Sequence, residues 1–554
     1  MRDYIGLIDG GPDAEADVRV SYSIEYEAGD APESTNTKYS ISVGDTFVGA
    51  LGSIGDRDLI AVDLTAGESY DIDLLGLSLY DPKLRVYDSS GNLIAVNDDS
   101  SSNTLNSQIK ITAPSSETYY LSAGSYLDFT TGSYALSVEI DYSEITVSDE
   151  QVAEQLTDGY WEAFGSLRAS WDVAPGGSLS YNVDGLTADG RNLAQQALLA
   201  WTLVTGIDFV RVTGSADITF EDEDTGAYTS SSAVGGEIVS AEVNVDKDWI
   251  GAYGASLDSY SFQTYIHEIG HALGLGHAGD YNGNATYGVE NDFANDSWQE
   301  SIMSYFPQDE NPTVDADFAF VVTPMKADII AMQELYGTAG TLRTGDTTYG
   351  FNGNTGTYLD DIVTMAQPVA FTIYDDGGFD TLDLSGTSRD QYIDLRVGAR
   401  SDVLGLTGNM TIADGTRIEL VLGGAGTDEV YGSKARNKVD GGRGDDKLWG
   451  NNGGDRLEGG GGADYLDGGG AADRLYGDGG QDTLYGGNGN DYLWGNGSDD
   501  LLYGGGMTDV MIGGNGADTL YGELGADTLK GGRGDGDLLY GGVGDDIFVF
   551  RKSY

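Results

Sequence analysis

From Gly423 to Val549 the chain repeats itself every nine residues, on the pattern G-G-x-G-x-D-x-U-x with U apolar. GGRGDDKLW from Gly441, GGNGNDYLW from Gly486 and GGNGADTLY from Gly513 are examples. Fourteen units follow one another. The sixth position is Asp in twelve of them and Asn437 in one, and in one an insertion moves the acid to Asp537. The eighth position is apolar in all fourteen, so the pattern marks a stacked repeat and not a Gly-rich linker. The Gly-rich half of a unit can take positive φ and turn sharply. The x-U-x half reads as a very short strand with one inward side chain. Stacking buries the U column and pairs the strands in parallel. One apolar side chain per unit is a thin core, so calcium is expected between successive turns, held by Asp carboxylates and backbone carbonyls. Asp446, Asp464, Asp482, Asp500 and Asp518 fall along one side, and Asp455, Asp473 and Asp491 along the other. Asp428, Asp509, Asp527 and Asp546 occupy the same sixth position.

The charge balance agrees with cation binding there. Asp and Glu number 91 against 28 Lys and Arg, a net charge of −63. Nucleic acid and anionic membrane surfaces are poor partners for such a chain. Outside the repeats the acidity fits a solvated surface as well as it fits bound cations. Cysteine is absent, which excludes disulfides and thiolate metal sites. Apolar runs are too short for a transmembrane helix. The acidic start MRDYIGLIDGGPDAEADV does not read as a Sec signal peptide.

With 554 residues, more than one hydrophobic core is expected. After an N-terminal extension over 1–33, residues 34–142 show alternating segments such as LIAVDL, YDIDLLG, LRVYD and YALSVEI, separated by turn signals such as DSSGN. They predict a β-sandwich without a catalytic constellation. Residues 143–341 are mixed α+β: Gln151–Phe164 and Arg191–Thr205 read as helices, the second with Leu193, Ala197, Trp201 and Val204 on one face. Short strands FVRVTG, DITFED and EIVSAEVNVD follow. Residues 342–554 form the expected parallel β-roll.

The mixed region contains SFQTYIHEIGHALGLGHAGDY from Ser261. His267 and His271 lie four residues apart, so on a helix they share a face and can grip one metal. Glu268 is placed to reach a water on that metal. Gly274 can end the helix in a left-handed conformation, letting the chain fold back so that His277 supplies a third nitrogen. Three protein ligands plus water make an open, catalytic zinc site. The chain has three histidines, and all three stand in this H-E-x-x-H-x-x-G-x-x-H pattern, that of the metzincins. SIMSYF follows from Ser301, and Met303 matches the methionine turn beneath a metzincin metal.

The histidine pattern, SIMSY, TPMKADIIAMQELYG over Thr323–Gly337 and the nonapeptides occur together in the order found in the serralysins. The chain resembles that family from roughly Ile145 onward. The resemblance implies a secreted zinc endopeptidase with one catalytic zinc, several structural calcium ions, protein or peptide substrates, export by type I secretion machinery and a monomeric state. It implies that Tyr305, two residues after Met303, binds zinc at rest and swings to stabilise the transition state. It also implies a calcium site at the junction with the roll, with Arg343, Gly345 and Thr347 as carbonyl donors, then Asp375, Gly377 and Asp380, and Glu419 as a further ligand. The N-terminal sandwich resembles a bacterial pre-peptidase C-terminal domain through DLIAVDLTAGESYDIDL, DPKLRVYDSSGNLIAVNDD and ETYYLSAG. Its place before the protease departs from the simplest serralysin layout. So does the end at Tyr554, since serralysins continue into a further β segment after the last repeat.

On this reading Glu268 is the general base, Tyr305 stabilises the oxyanion, and an extended substrate pairs with an edge strand within Ala227–Val245. Two rivals stand beside it. One is a calcium-dependent surface or adhesion protein with a relict zinc domain, against which an intact Glu268 argues. The other is a metal-dependent hydrolase of another bond, such as an ester.

Overall fold

The structure, a computed structural model, describes residues 24–27, 31–32, 37–98, 106–126, 129–141, 145–338, 340 and 342–550. Most of the expected N-terminal extension lies outside the described residues. The chain divides into two compact units, Met1–Ile145 and Thr146–Tyr554.

The first unit is a β-sandwich. Alternate residues are buried along strands such as Pro82–Tyr87, as a strand with one face on a core requires. One sheet has the strand order Ile24–Tyr26, Thr46–Leu51, Gly132–Ile140, Ser69–Gly76, Ser107–Thr112, and the other Asp58–Leu64, Glu117–Ser125, Pro82–Tyr87, Leu93–Asn97. Phe47, Ile60, Tyr70, Ile72, Tyr119, Leu121, Tyr134 and Leu136 fill one core cluster. The short strand Ile24–Tyr26 departs from the sequence reading: it lies in the expected extension yet pairs in parallel with Thr46–Leu51.

In the second unit a five-stranded sheet runs in the order Asp208–Arg211, Ser178–Asn182, Ile218–Glu221, Glu237–Val245, Ala227–Val234. All neighbours are parallel except the last pair, which makes Ala227–Val234 an antiparallel edge. Helices Ala188–Thr205 and Tyr260–Ala272 belong to the same α+β layer. Trp201, fully buried, ties them together by donating its indole N–H to Ile266 O at 2.9 Å. The expected helix over Gln151–Phe164 runs from Asp149 to Ala163, with a wider π turn at Gln155–Gly159. That turn sits where Leu156 O accepts the Gly276 N–H at 2.7 Å, beside His277.

The C-terminal part is a parallel β-roll of two sheets. Ten strands run from Thr348–Gly350 to Ile547–Phe548, and eight from Tyr392–Asp394 to Leu538–Tyr540. Register advances by two repeats per turn, so Leu457 pairs with Leu475 and Leu466 with Leu484. The U column from Val430 to Leu529 is fully buried. Both sheets begin upstream of Gly423, in turns that lack the nine-residue pattern. A small sheet joining Phe320–Val321 to Val369–Ile373 is continuous with the protease region, as is the Tyr358 hydroxyl donating to Val322 O at 2.6 Å. The α+β region and the roll belong to one compact unit.

Candidate metal and catalytic site

Helix Tyr260–Ala272 starts at Ser259, whose hydroxyl accepts the Phe262 N–H. Its end is held by three aromatic donors. Trp171 Nε1 bonds Ala272 O at 2.8 Å, the Tyr336 hydroxyl bonds Leu273 O at 2.6 Å, and Trp161 Nε1 bonds Gly274 O at 3.0 Å. They satisfy carbonyls that a helix terminus leaves open. Gly274 takes φ of +104°, and a Cβ there would lie 2.3 Å from Ala169 O, so the reversal that follows requires glycine.

The reversal brings the three histidines together. His271 Nε2 lies 3.1 Å from His267 Nε2 and 3.0 Å from His277 Nε2. Each opposite ring nitrogen is tied to a backbone carbonyl: His267 Nδ1 to Ile302 O, His271 Nδ1 to Leu275 O and His277 Nδ1 to Tyr281 O, all at 2.8 Å. A carbonyl only accepts, so each Nδ1 carries the proton and each Nε2 presents a lone pair. Burial keeps the rings neutral, pushing His267 down to about 4 and His271 to about 3, with His277 well below its ordinary value. Three converging lone pairs with fixed tautomers fit a borderline cation such as zinc. Among the described residues this is the one group of three or more His, Cys, Asp or Glu side chains so gathered.

Glu268 is buried beside this cluster, and desolvation raises its carboxyl to about 7. Thr229 on the edge strand hydrogen-bonds its Oε2 at 2.9 Å. Tyr305 is half-buried on another side. Its ring centre is 4.5 Å from that of His277, and its oxygen accepts the Gly283 N–H at 3.4 Å. Met303 is fully buried beneath the helix. A Cβ on Gly270 would come within 2.6 Å of its sulfur and 3.2 Å of Trp201, so that contact depends on glycine.

Three supporting residues carried no signal in the reading of the sequence. Asp328 accepts from Ser301 Oγ at 2.6 Å, Ile302 N at 2.9 Å and Met325 N at 2.7 Å, and so holds the turn whose Ile302 carbonyl orients His267. Tyr281 offers its carbonyl to His277 and its hydroxyl to buried Asp296 at 3.1 Å. Thr229 is the third. Asp328 lies within the quoted TPMKADIIAMQELYG, but its role depends on a partner in another loop.

In the roll, the Asp columns form backbone ladders. Asp446 N donates to Asp464 Oδ1 at 2.8 Å and Asp464 N to Asp482 Oδ1 at 2.9 Å, and Asp455, Asp473, Asp491 and Asp509 repeat this in the second column. The other oxygen, Oδ2, is buried without a hydrogen-bond partner in ten residues: Asp446, Asp455, Asp464, Asp473, Asp482, Asp491, Asp500, Asp509, Asp518 and Asp527. A Cβ on Gly441 would fall 2.4 Å from Asp446 Oδ2 and 2.9 Å from Gly459 O, so a carboxylate and a carbonyl of the next turn flank one small cradle. Such orphaned oxygens with nearby carbonyls fit a hard cation.

The ends of the ladder differ. Asp428 is satisfied by Gln391 N at 2.9 Å and Gly424 N at 2.9 Å. Asp546 is half-buried and accepts from Asp527 N at 3.1 Å. Asn437 replaces the acid with an amide that donates to Ile418 O at 2.9 Å.

The expected junction residues gather only in part. Thr347 N donates to Asp380 Oδ1 and Asp380 N to Glu419 Oε2, each at 2.8 Å. Asp375 is buried, with Gly377 N on Oδ1 and the Tyr349 hydroxyl on Oδ2. Burial, with Asp375, Glu419 and Asp346 nearby, raises Asp380 to about 6. Arg343 takes φ of +49° and sends its guanidinium to Tyr374 O at 2.8 Å. Gly345 O faces Gly378, where a Cβ would stand 2.4 Å away. No three carboxylates converge here among the described residues.

Comparison with known proteins matches three stretches of the chain. Residues 176–287 match the matrixin family model, 338–554 the C-terminal model of the M10 serralysins, and 56–125 the bacterial pre-peptidase C-terminal domain. Serralysin C of Dickeya chrysanthemi is 41% identical over 250 residues, 42% of this chain and 52% of that protein. A serralysin of Proteus mirabilis is 44% identical over 187 residues, 33% of this chain and 38% of that protein. Metallopeptidase AprA of Pseudomonas marginalis is 44% identical over 177 residues, 31% and 37% respectively. The chain thus spans about half the length of Serralysin C and less of the other two. The resemblance to serralysins, with nonapeptide repeats and a pre-peptidase C-terminal domain, is borne out.

Proposed function

We propose that the chain is a secreted zinc endopeptidase that hydrolyses internal peptide bonds of proteins. The observation that carries this is the convergence of three Nε2 lone pairs beside a buried carboxylate. His267, His271 and His277 would hold the zinc, with Tyr305 beside them. A zinc ion held by these residues would supply Lewis-acid chemistry, acidifying a water and polarising the scissile carbonyl. Glu268 removes the water proton and later hands it to the leaving amine. The Tyr305 phenol donates to the developing oxyanion. The edge strand Ala227–Val234 pairs with the extended substrate.

In the roll, the orphaned Asp oxygens hold several structural calcium ions, and the junction residues around Asp380 add a further site. Calcium is scarce in the cytosol and abundant outside, so the roll folds after export, by type I machinery, and the enzyme acts extracellularly as a monomer. No helix among the described residues is long and apolar enough to cross a membrane, which is consistent with release.

The test is casein digestion by the full chain, with and without a zinc-selective chelator, beside Glu268→Gln. The chelator should stop cleavage and zinc should restore it. Glu268→Gln should bind zinc normally and lose about a thousandfold or more in turnover. Near-normal turnover in zinc-loaded Glu268→Gln would sink the mechanism.

A further inference from the structure

Thr229 touches the proposed base and the proposed substrate edge at once. Its Oγ1 lies 2.9 Å from Glu268 Oε2 and 2.7 Å from the Glu268 carbonyl. A hydroxyl has one hydrogen and can serve one of them at a time. The carbonyl belongs to helix Tyr260–Ala272, whose own N–H ladder already supplies it through Ala272. The carboxylate oxygen is therefore the acceptor that gains more from the donor.

The backbone of Thr229 faces elsewhere. Asp246 N bonds Gly226 O at 3.0 Å, which sets the parity of the antiparallel pair. Bonded pairs then fall at Gly226, Tyr228 and Ser230. Thr229, opposite Val243, turns its N–H and C=O to the open side of the sheet. An extended peptide added at that edge would meet these two groups.

We propose that Thr229 is a positioning residue: its hydroxyl fixes the Glu268 carboxylate while its backbone receives the substrate strand, so docking and base placement share one residue. The inference rests on the endopeptidase reading above. Glu268 can adopt several rotamers, and a base out of line loses rate without losing binding.

Thr229→Val keeps the shape and removes the hydroxyl; Thr229→Ser keeps the hydroxyl. Both are measured in the full zinc-loaded chain with an internally quenched peptide. The Val variant should lose about tenfold or more in kcat with KM within about twofold, and the Ser variant should stay within about threefold of wild type. Zinc affinity, from competition with a chromogenic chelator, should be unchanged in both. Wild-type kcat in Thr229→Val, a change confined to KM, lost zinc affinity, or failure of Ser to rescue would each overturn the role. If Glu268→Gln proves as active as wild type, the endopeptidase reading fails and this inference with it. If Glu268→Gln is dead and Thr229→Val is not slowed, the positioning role alone fails.

Discussion

The histidine cluster and the aspartate columns are both buried ligand sets, built on opposite plans. Each histidine has its second nitrogen bound to a carbonyl, so all three donors are aimed before any ion arrives. Each aspartate has one oxygen on the N–H of a neighbouring turn and the other without a partner in ten cases. The first set is neutral and packed against a large core that includes Trp201, Tyr265 and Phe262. The second is made of carboxylates and backed by one apolar residue per strand. A site held by an existing core can concentrate its function at one point. A thin core needs the ions themselves, and it spreads that need over many positions.

Loss of a single ligand should have the largest effect at the histidine site. His271→Ala removes the donor that touches both other rings, and proteolysis should fall by about a thousandfold or more while circular dichroism stays near wild type. Calcium removal should do the reverse in structural terms. In a calcium-selective chelator the full chain should lose most roll strand signal and regain it with calcium but not with magnesium, while the β-sandwich, whose core has no such column, stays folded. Equal strand content in calcium and in chelator would mean that the roll folds by packing alone.

A weaker effect separates the two sets by pH in metal-free protein. Burial raises Asp473 and Asp500 to about 8, and Asp455, Asp464 and Asp509 to about 7, above their ordinary 3.8. The folded roll then holds more protons than the unfolded chain. Its proton-linked stability is complete below the ordinary carboxyl pKa and is lost as pH rises through about 7 to 8. The histidines are lowered, so their contribution is complete above their ordinary 6.5 and is lost as pH falls toward about 4. Acidifying the chelated protein from about pH 8 to about pH 5 should therefore increase roll β content. A flat or falling signal would contradict the assignment of those buried acids.

The smallest effect is that of one rung. Asp473→Asn should move the calcium midpoint by about two- to threefold and leave proteolysis near normal in saturating calcium, because nine other orphaned carboxylates remain. Asn437 already stands at a ladder position, its amide bonded to Ile418 O.

What could be read without coordinates follows local periodicity. A spacing of four put His267 and His271 on one helical face, and the nine-residue period exposed the roll. Turns such as Thr348–Gly350 and Tyr392–Asp394 lack that period, and their place in the two sheets was not legible. Asp428 looked like every other sixth-position acid, yet Gln391 N satisfies it from one of those irregular turns. Thr229 stands 39 residues from Glu268 in a Ser-rich strand, and Asp328 is 26 residues from the Ile302 it holds. Their roles come from tertiary contacts, which no local pattern encodes.

On the proposed function, one zinc on three histidines makes this chain an endopeptidase. Titrating zinc into metal-depleted, calcium-saturated full chain while following cleavage of an internally quenched peptide tests it most directly. Activity should rise linearly and break at about one zinc per chain, with none from calcium alone. Cleavage that is already full before zinc is added, or that never appears after one equivalent is bound, would contradict the account.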